Sequence, residues 1–172
     1  MGIPAGSDPP GMKTLLLIPA FNEEPTLPSL IEASKKFIRD IMVIDDGSED
    51  ATTLVSAMAG AMVHRLKTNA GKGEALKTGF AYALDTSYDW VITMNGDGQH
   101  AASDIAMFLS MLTGPYDLIL GDRMGDGERV PLLQRAANRS SSLIVSLLCG
   151  RRIPDSQTGF RAYRAELLRG VA

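Results

Sequence analysis

One cysteine, Cys149, is all the thiol that 172 residues carry, which excludes an intrachain disulfide framework and a cysteine-based zinc site. A lone thiol suits a reducing compartment, and a cytoplasmic location is the expectation. Excess positive charge is also missing. The 17 Lys and Arg stand against 20 Asp and Glu, a formal net charge of -3, so no basic field points to a nucleic-acid partner and any phosphate binding has to be local. Long hydrophobic runs are absent as well: residues 15–18 and 143–149 fall far short of the roughly 20 apolar residues that a membrane-crossing helix needs. Residues 1–12, MGIPAGSDPPGM, lack the apolar centre of a signal peptide and read as a flexible leader. With 45% hydrophobic residues the remainder, 13–172, has the size of one domain with one ordinary core. The sequence stops just after AYRAELL begins a new segment, which leaves a carboxyl-terminal continuation open.

Short apolar runs bounded by polar loops recur at 14–19, 41–44, 62–66, 90–94 and 118–120, and these are the predicted strands. Helical spacing lies between them: Leu76, Gly79, Phe80 and Ala83 form one stripe, Ile105, Phe108, Leu109 and Leu112 another. A further helix is predicted over 131–149. Its apolar stripe either covers the sheet or forms an acceptor groove at a membrane surface beside Arg135, Arg139, Arg151 and Arg152. The βαβα alternation predicts a Rossmann-like, mostly parallel sheet with helices on both faces.

Each predicted strand is followed by polar residues: Phe21, Asn22 and Glu23; then Asp45 and Asp46; then 69–73; then 95–100; then Asp122 and Arg123. In a parallel sheet these loops leave along one edge, where open α/β sheets bind their ligands. Any one of them has an ordinary explanation, since Asp46-Gly47-Ser48 is also a common turn into a helix. All five together outline a site.

Asn95, Asp97 and Gln99 alternate along NGDGQH, so on an extended chain their oxygens converge. Carboxylate and amide oxygens suit Mg²⁺ or Mn²⁺, ions that commonly complete their shell with substrate phosphates. The adjacent His100 reads as a structural group rather than a ligand of such a hard ion. NAGKGEAL places two glycines and Lys72 at a helix start, a place where a backbone can approach an anion closely. It lacks the GxxxxGK[ST] spacing of a P-loop, which argues against that class of ATPase or GTPase. Arg123 follows the last strand on the same edge.

IPAFNEE, VIDDGSED, NAGKGEAL, NGDGQH, GDR and DSQTGFRAYR occur in an order and spacing that resembles family 2 glycosyltransferases, most closely the dolichyl-phosphate mannose synthase-like branch. The resemblance runs from about Lys13 to the end and implies a GT-A fold. It implies that Pro19, Phe21, Glu23, Ile44 and Asp46 meet the nucleotide base and ribose. Asn95, Gly96 and Asp97 would lie along ribose and pyrophosphate, Asp97 and Gln99 would hold the metal, and Arg123, with Arg135, would bind acceptor phosphate. The family commonly has aspartate where Asn95 stands, and the amide keeps an oxygen while removing a charge.

The chemistry implied is metal-dependent: a single displacement with inversion, from a nucleoside diphosphate sugar such as GDP-mannose or a UDP-sugar to a polyprenyl (dolichyl or undecaprenyl) phosphate. Peripheral membrane contact at a cytoplasmic face follows from that acceptor. Two enzyme alternatives stay open, and a non-catalytic nucleotide-sugar-binding module, which would bind donor without turnover, is a third. Transfer to a hydroxyl, in polysaccharide or glycolipid synthesis, requires a carboxylate base, for which Asp155 is the candidate against an ordinary turn role after Pro154. A nucleotidyltransferase would use a similar sheet and metal but release pyrophosphate.

Overall fold

The segment TLLLIPA, residues Thr14–Ala20, is apolar on both sides: Leu16, Ile18 and Ala20 enter one core, while Leu15 and Leu17 enter the other. A strand with two apolar faces is stable only when helices cover both, which places it at the centre of a sandwich of layers. A computed structural model describes residues 8–98, 100–121 and 159–170 and shows that arrangement. The order is β1 (Thr14–Ala20), α1 (Leu27–Ser34), β2 (Asp40–Asp45), α2 (Thr52–Met58), β3 (Met62–Arg65), α3 (Lys72–Asp85), β4 (Trp90–Thr93), α4 (Asp104–Met111), β5 (Leu118–Leu120), β6 (Arg161–Arg164) and α5 (Ala165–Leu168).

The six-stranded sheet runs β3-β2-β1-β4-β6-β5. β1 pairs in parallel with both β2 and β4, and β3 pairs in parallel with β2. β6 is antiparallel to both β4 and β5, so β5 points the same way as β1 to β4. The carboxyl ends of β1 to β5 therefore share one edge, and the reversed β6 begins there.

On one face, α1 and α4 bury Leu27, Leu30 and Ile31 and Ile105, Phe108 and Leu109 against Ile18, Val43, Trp90 and Ile92. On the other, α3 and α5 bury Ala75, Phe80, Ala83 and Leu168 against Leu15, Leu17, Ile44 and Val91. Gly79 lets α3 sit directly on Leu17, whose side chain would collide with any Cβ at that position. Phe108 is fully buried, so its truncation to alanine costs about 3–5 kcal/mol.

The mixed α/β fold and the five strands expected from the sequence are present. β6 is an addition: only Ala162 of its four residues is fully buried, and RAYR carries no apolar run to announce it. Within residues 8–12, Pro9 is buried, and its carbonyl accepts from the Met12 N–H at 3.0 Å while Met12 packs on the core. In the α3 stripe the inner position is Ala75, with Leu76 half-buried beside it. The helix expected over 131–149 lies outside the described residues. Among the described residues no helix is long and apolar enough to cross a membrane.

Candidate active site

The loops after β1 and β2 are stitched together before they form anything functional. Asn22, at φ 56°, donates its N–H to Ser48 Oγ at 2.9 Å, while its Oδ1 accepts from the Glu49 N–H at 2.8 Å. The Glu23 N–H donates to Thr52 Oγ1 at 2.8 Å. Asp45 and Asp46 then divide the work between them. Asp45 is fully buried, accepts from the Ser48 N–H at 2.8 Å and from the Thr53 hydroxyl, and has Arg65 Nε 4.0 Å away, so it builds the turn. Asp46 faces the next loop, and its two oxygens accept from the N–H groups of Ala70 and Gly71, each at 2.8 Å. Gly47, which follows the two aspartates, has φ +75°, and its Cα lies so near the Thr68–Asn69 backbone that a Cβ would stand 2.7 Å from Asn69 N. The start of α3 is thus fixed by the end of β2.

The edge opens into a cavity lined by Pro19, Ala20, Phe21, Glu23, Asp46, Lys72, Ala75, Asn95, Gly96 and Asp97. Pro19, Phe21 and Ala75 give it apolar wall, and Phe21 stands at the rim with 42% of its surface exposed. Glu23 is tied across to the loop after β4, because the Thr26 hydroxyl lies 3.0 Å from Glu23 Oε2 and 2.7 Å from the Gly96 carbonyl. Lys72, the first residue of α3, donates from Nζ to Asn95 Oδ1 at 2.7 Å. An ammonium is a donor only, so the amide oxygen must face it, and the Asn95 NH₂ then points toward Asp97 Oδ2 at 3.5 Å.

The sequence-expected residues Pro19, Phe21, Glu23, Asp46, Lys72, Asn95, Gly96 and Asp97 therefore meet in one cavity. Two expectations change. Ile44 is fully buried beneath α3 and offers no side-chain surface to a nucleotide, because the strand's period of two turns it inward with Met42. Residues 96–98 turn instead of extending, with Gly98 at φ +72°, so Asn95 presents its oxygen to Lys72 and its nitrogen to Asp97 instead of lining up oxygens. His100 is buried with its ring 5.2 Å from that of Phe160. Gln99, Arg123, Arg135 and Asp155 lie outside the described residues. Thr26 was not legible as a site residue: a threonine near a helix start has no mark that distinguishes a loop tie from a cap.

The donor set decides what kind of ion the site suits. Among the described residues no three His, Cys, Asp or Glu side chains converge to cage a metal. Asp97 offers an exposed carboxylate at the cavity wall. That fits a hard divalent ion that takes most of its oxygens from a diphosphate and water.

Comparison with known proteins agrees with this geometry. The chain matches glycosyl transferase family 2 over residues 16–171. An uncharacterised protein of Methanocaldococcus jannaschii is 35% identical over 161 residues, covering 91% of this chain and 66% of that protein. The polyprenol monophosphomannose synthase of Mycolicibacterium smegmatis is 32% identical over 183 residues, covering 97% of this chain and 69% of the synthase. Among solved structures, glucosyl-3-phosphoglycerate synthase from Mycobacterium tuberculosis, in complex with Mn²⁺ and UDP-glucose, superposes with a TM-score of 0.71 at 25% identity, over 91% of this chain and 57% of that one. The chain thus spans roughly two thirds of these curated relatives and little more than half of the solved structure. With a GT-A-type fold and a match that crosses nearly all of the chain, the protein belongs to glycosyl transferase family 2.

Proposed function

We propose that this chain is the catalytic domain of an inverting glycosyltransferase that moves a sugar from a nucleoside diphosphate sugar to a polyprenyl phosphate. The observation that carries this reading is the cavity itself, where Lys72 at a helix start, the Asp97 carboxylate and the Pro19–Phe21 wall surround one space at the strand ends. The wall suits a flat base, Glu23 and Asp46 offer acceptors to ribose hydroxyls, and the α3 N-terminus with Lys72 suits diphosphate oxygens. Mg²⁺ or Mn²⁺, held by Asp97 and Gln99, would supply positive charge to the departing diphosphate. Lys72 and the amide edge of Asn95 orient the diphosphate from the protein side. A phosphate acceptor brings its own oxyanion, so no general base is required, and Arg123 and Arg135 are the groups we assign to hold it. That the mycolicibacterial relative is a polyprenol monophosphomannose synthase favours this acceptor over a hydroxyl. The location implied is cytoplasmic, with peripheral contact at a membrane face.

The test is product analysis with GDP-mannose, UDP-glucose or UDP-N-acetylglucosamine, a divalent cation and a short-chain polyprenyl phosphate. Glycosylated lipid phosphate and an equal amount of free nucleoside diphosphate are expected. Release of pyrophosphate from a nucleoside triphosphate and a sugar phosphate would instead make the protein a nucleotidyltransferase.

A further inference from the structure

Gly159 lies two residues ahead of β6, where the chain enters the reversed strand at the same edge as the cavity. It rests against the side chain of Asn95. A Cβ built on Gly159 would stand 2.6 Å from Asn95 Nδ2 and nearer still to the amide carbon and oxygen, closer than real Cβ contacts come. The glycine is itself held. Buried Thr93 Oγ1 of β4 donates to the Gly159 carbonyl at 3.1 Å, and the next residue, Phe160, stacks on Phe108 with ring centroids 4.4 Å apart. Asn95 is therefore backed on one side by fixed backbone and bonded on another to Lys72.

We propose that Gly159 is a positioning residue for the donor: its bare Cα leaves the room in which the Asn95 amide turns its oxygen to Lys72. The proposal rests on the donor reading given above and adds to it the group that sets Lys72 and Asn95 in place. A methyl at 159 meets two things that can yield, the backbone or the amide. The backbone is pinned by the Thr93 bond and the Phe160 stack, whereas the half-buried Asn95 side chain has rotamers to move into. The amide gives way, and Lys72 loses the bond to Asn95 Oδ1 while the core stays packed.

The experiment compares the full chain with Gly159→Ala, Asn95→Ala and the double variant, by calorimetric titration of the nucleoside diphosphate sugar that wild type binds. Gly159→Ala is expected to bind it about tenfold more weakly, the worth of one charge-assisted hydrogen bond, with an unfolding midpoint within about 4 °C of wild type. In the Asn95→Ala background the same change is expected to matter less than about twofold, because the atoms that the methyl displaces are gone. A second readout needs no donor: the side-chain amide resonance of Asn95 should shift in Gly159→Ala. An unshifted resonance, wild-type affinity in Gly159→Ala, or an undiminished loss in the Asn95→Ala background overturns the proposal. If Gly159→Ala does not fold, Thr93→Val serves in its place, since it frees the Gly159 carbonyl without filling the space; unchanged affinity and an unshifted Asn95 resonance there count against it. Absence of donor binding by wild type contradicts the donor reading, while the resonance still reports on Gly159.

Discussion

Lys72 Nζ donates to Asn95 Oδ1 at 2.7 Å, a bond that joins the first residue of α3 to the residue just past β4. It brings a cation and a neutral amide to the same wall of the cavity. Lys72→Ala is expected to weaken nucleoside diphosphate sugar binding about 10- to 100-fold, the range for a bond to a charged group. Because Lys72 is exposed, its unfolding midpoint should change by no more than about 2 °C. Parallel calorimetry and thermal melts check this; a large fall in stability with intact binding would make Lys72 structural.

Asp46 binds the Ala70 and Gly71 N–H groups at 2.8 Å each, so its removal takes two bonds from the loop and leaves the Gly71 N–H with Asn69 Oδ1 at 3.1 Å. Asp46→Ala is expected to cost about 2–4 kcal/mol in urea unfolding, and Asp46→Asn, which keeps one acceptor oxygen, about half as much. Equal losses in the two variants would mean that charge, not the pair of bonds, secures the loop.

Two glycines separate steric cost from dihedral cost. Gly11 has φ +78° with nothing within 4 Å of an added Cβ, whereas Gly47 has φ +75° with backbone atoms 2.7 Å away. Gly11→Ala should lose about 1 kcal/mol, the cost of left-handed φ alone. Gly47→Ala should lose at least about 3 kcal/mol, since the DDGS turn and residues 68–69 must part. Urea melts of both variants give the comparison.

Tyr88 sits at the opposite edge of the sheet and donates its hydroxyl to Asp40 Oδ2 at 3.1 Å. Burial first, and the Asp40 carboxylate second, push its phenol above the ordinary value of 10.0. A folded-state pKa raised above the unfolded one means that the unfolded chain releases the proton first. The stabilisation is therefore complete below about pH 10 and is lost as the pH climbs toward the folded-state value. Unfolding free energies of wild type and Tyr88→Phe, measured from pH 8 to 11, should converge as the pH rises. A constant difference would show that the phenol does not titrate differently on folding.

Much of this was legible in the sequence, and the failures have physical causes. The central strands β1, β2 and β4 announce themselves because each is apolar on both faces, as in LLLI and IMVI, and the bounds of the expected strands fall within a residue or two of those observed. β6 stayed hidden because it is held by pairing and by its ends: Arg164 packs over the Trp90 ring at 4.9 Å and bonds Asp117 at 2.9 Å, contacts that no local pattern encodes. The clustering of Glu23, Asp46, Lys72 and Asp97 could be read from strand order alone. Which end of the Asn95 amide faces what, and that Ile44 turns inward, depend on the 96–98 turn and on strand parity next to a double aspartate. Gly159 is meaningful only once the reversed strand brings it to Asn95 from 64 positions away in sequence.

The central claim is that the cavity is a donor site in which Asp97 serves a divalent ion. Its most direct test is calorimetric titration of the full chain with GDP-mannose, UDP-glucose and UDP-N-acetylglucosamine, with and without Mn²⁺, repeated in Asp97→Ala. The expected result is binding of one donor that requires Mn²⁺ and is lost in Asp97→Ala while the variant stays folded. Binding of none of the three by folded wild type, or binding unaffected by Mn²⁺ and by loss of the Asp97 carboxylate, would contradict it.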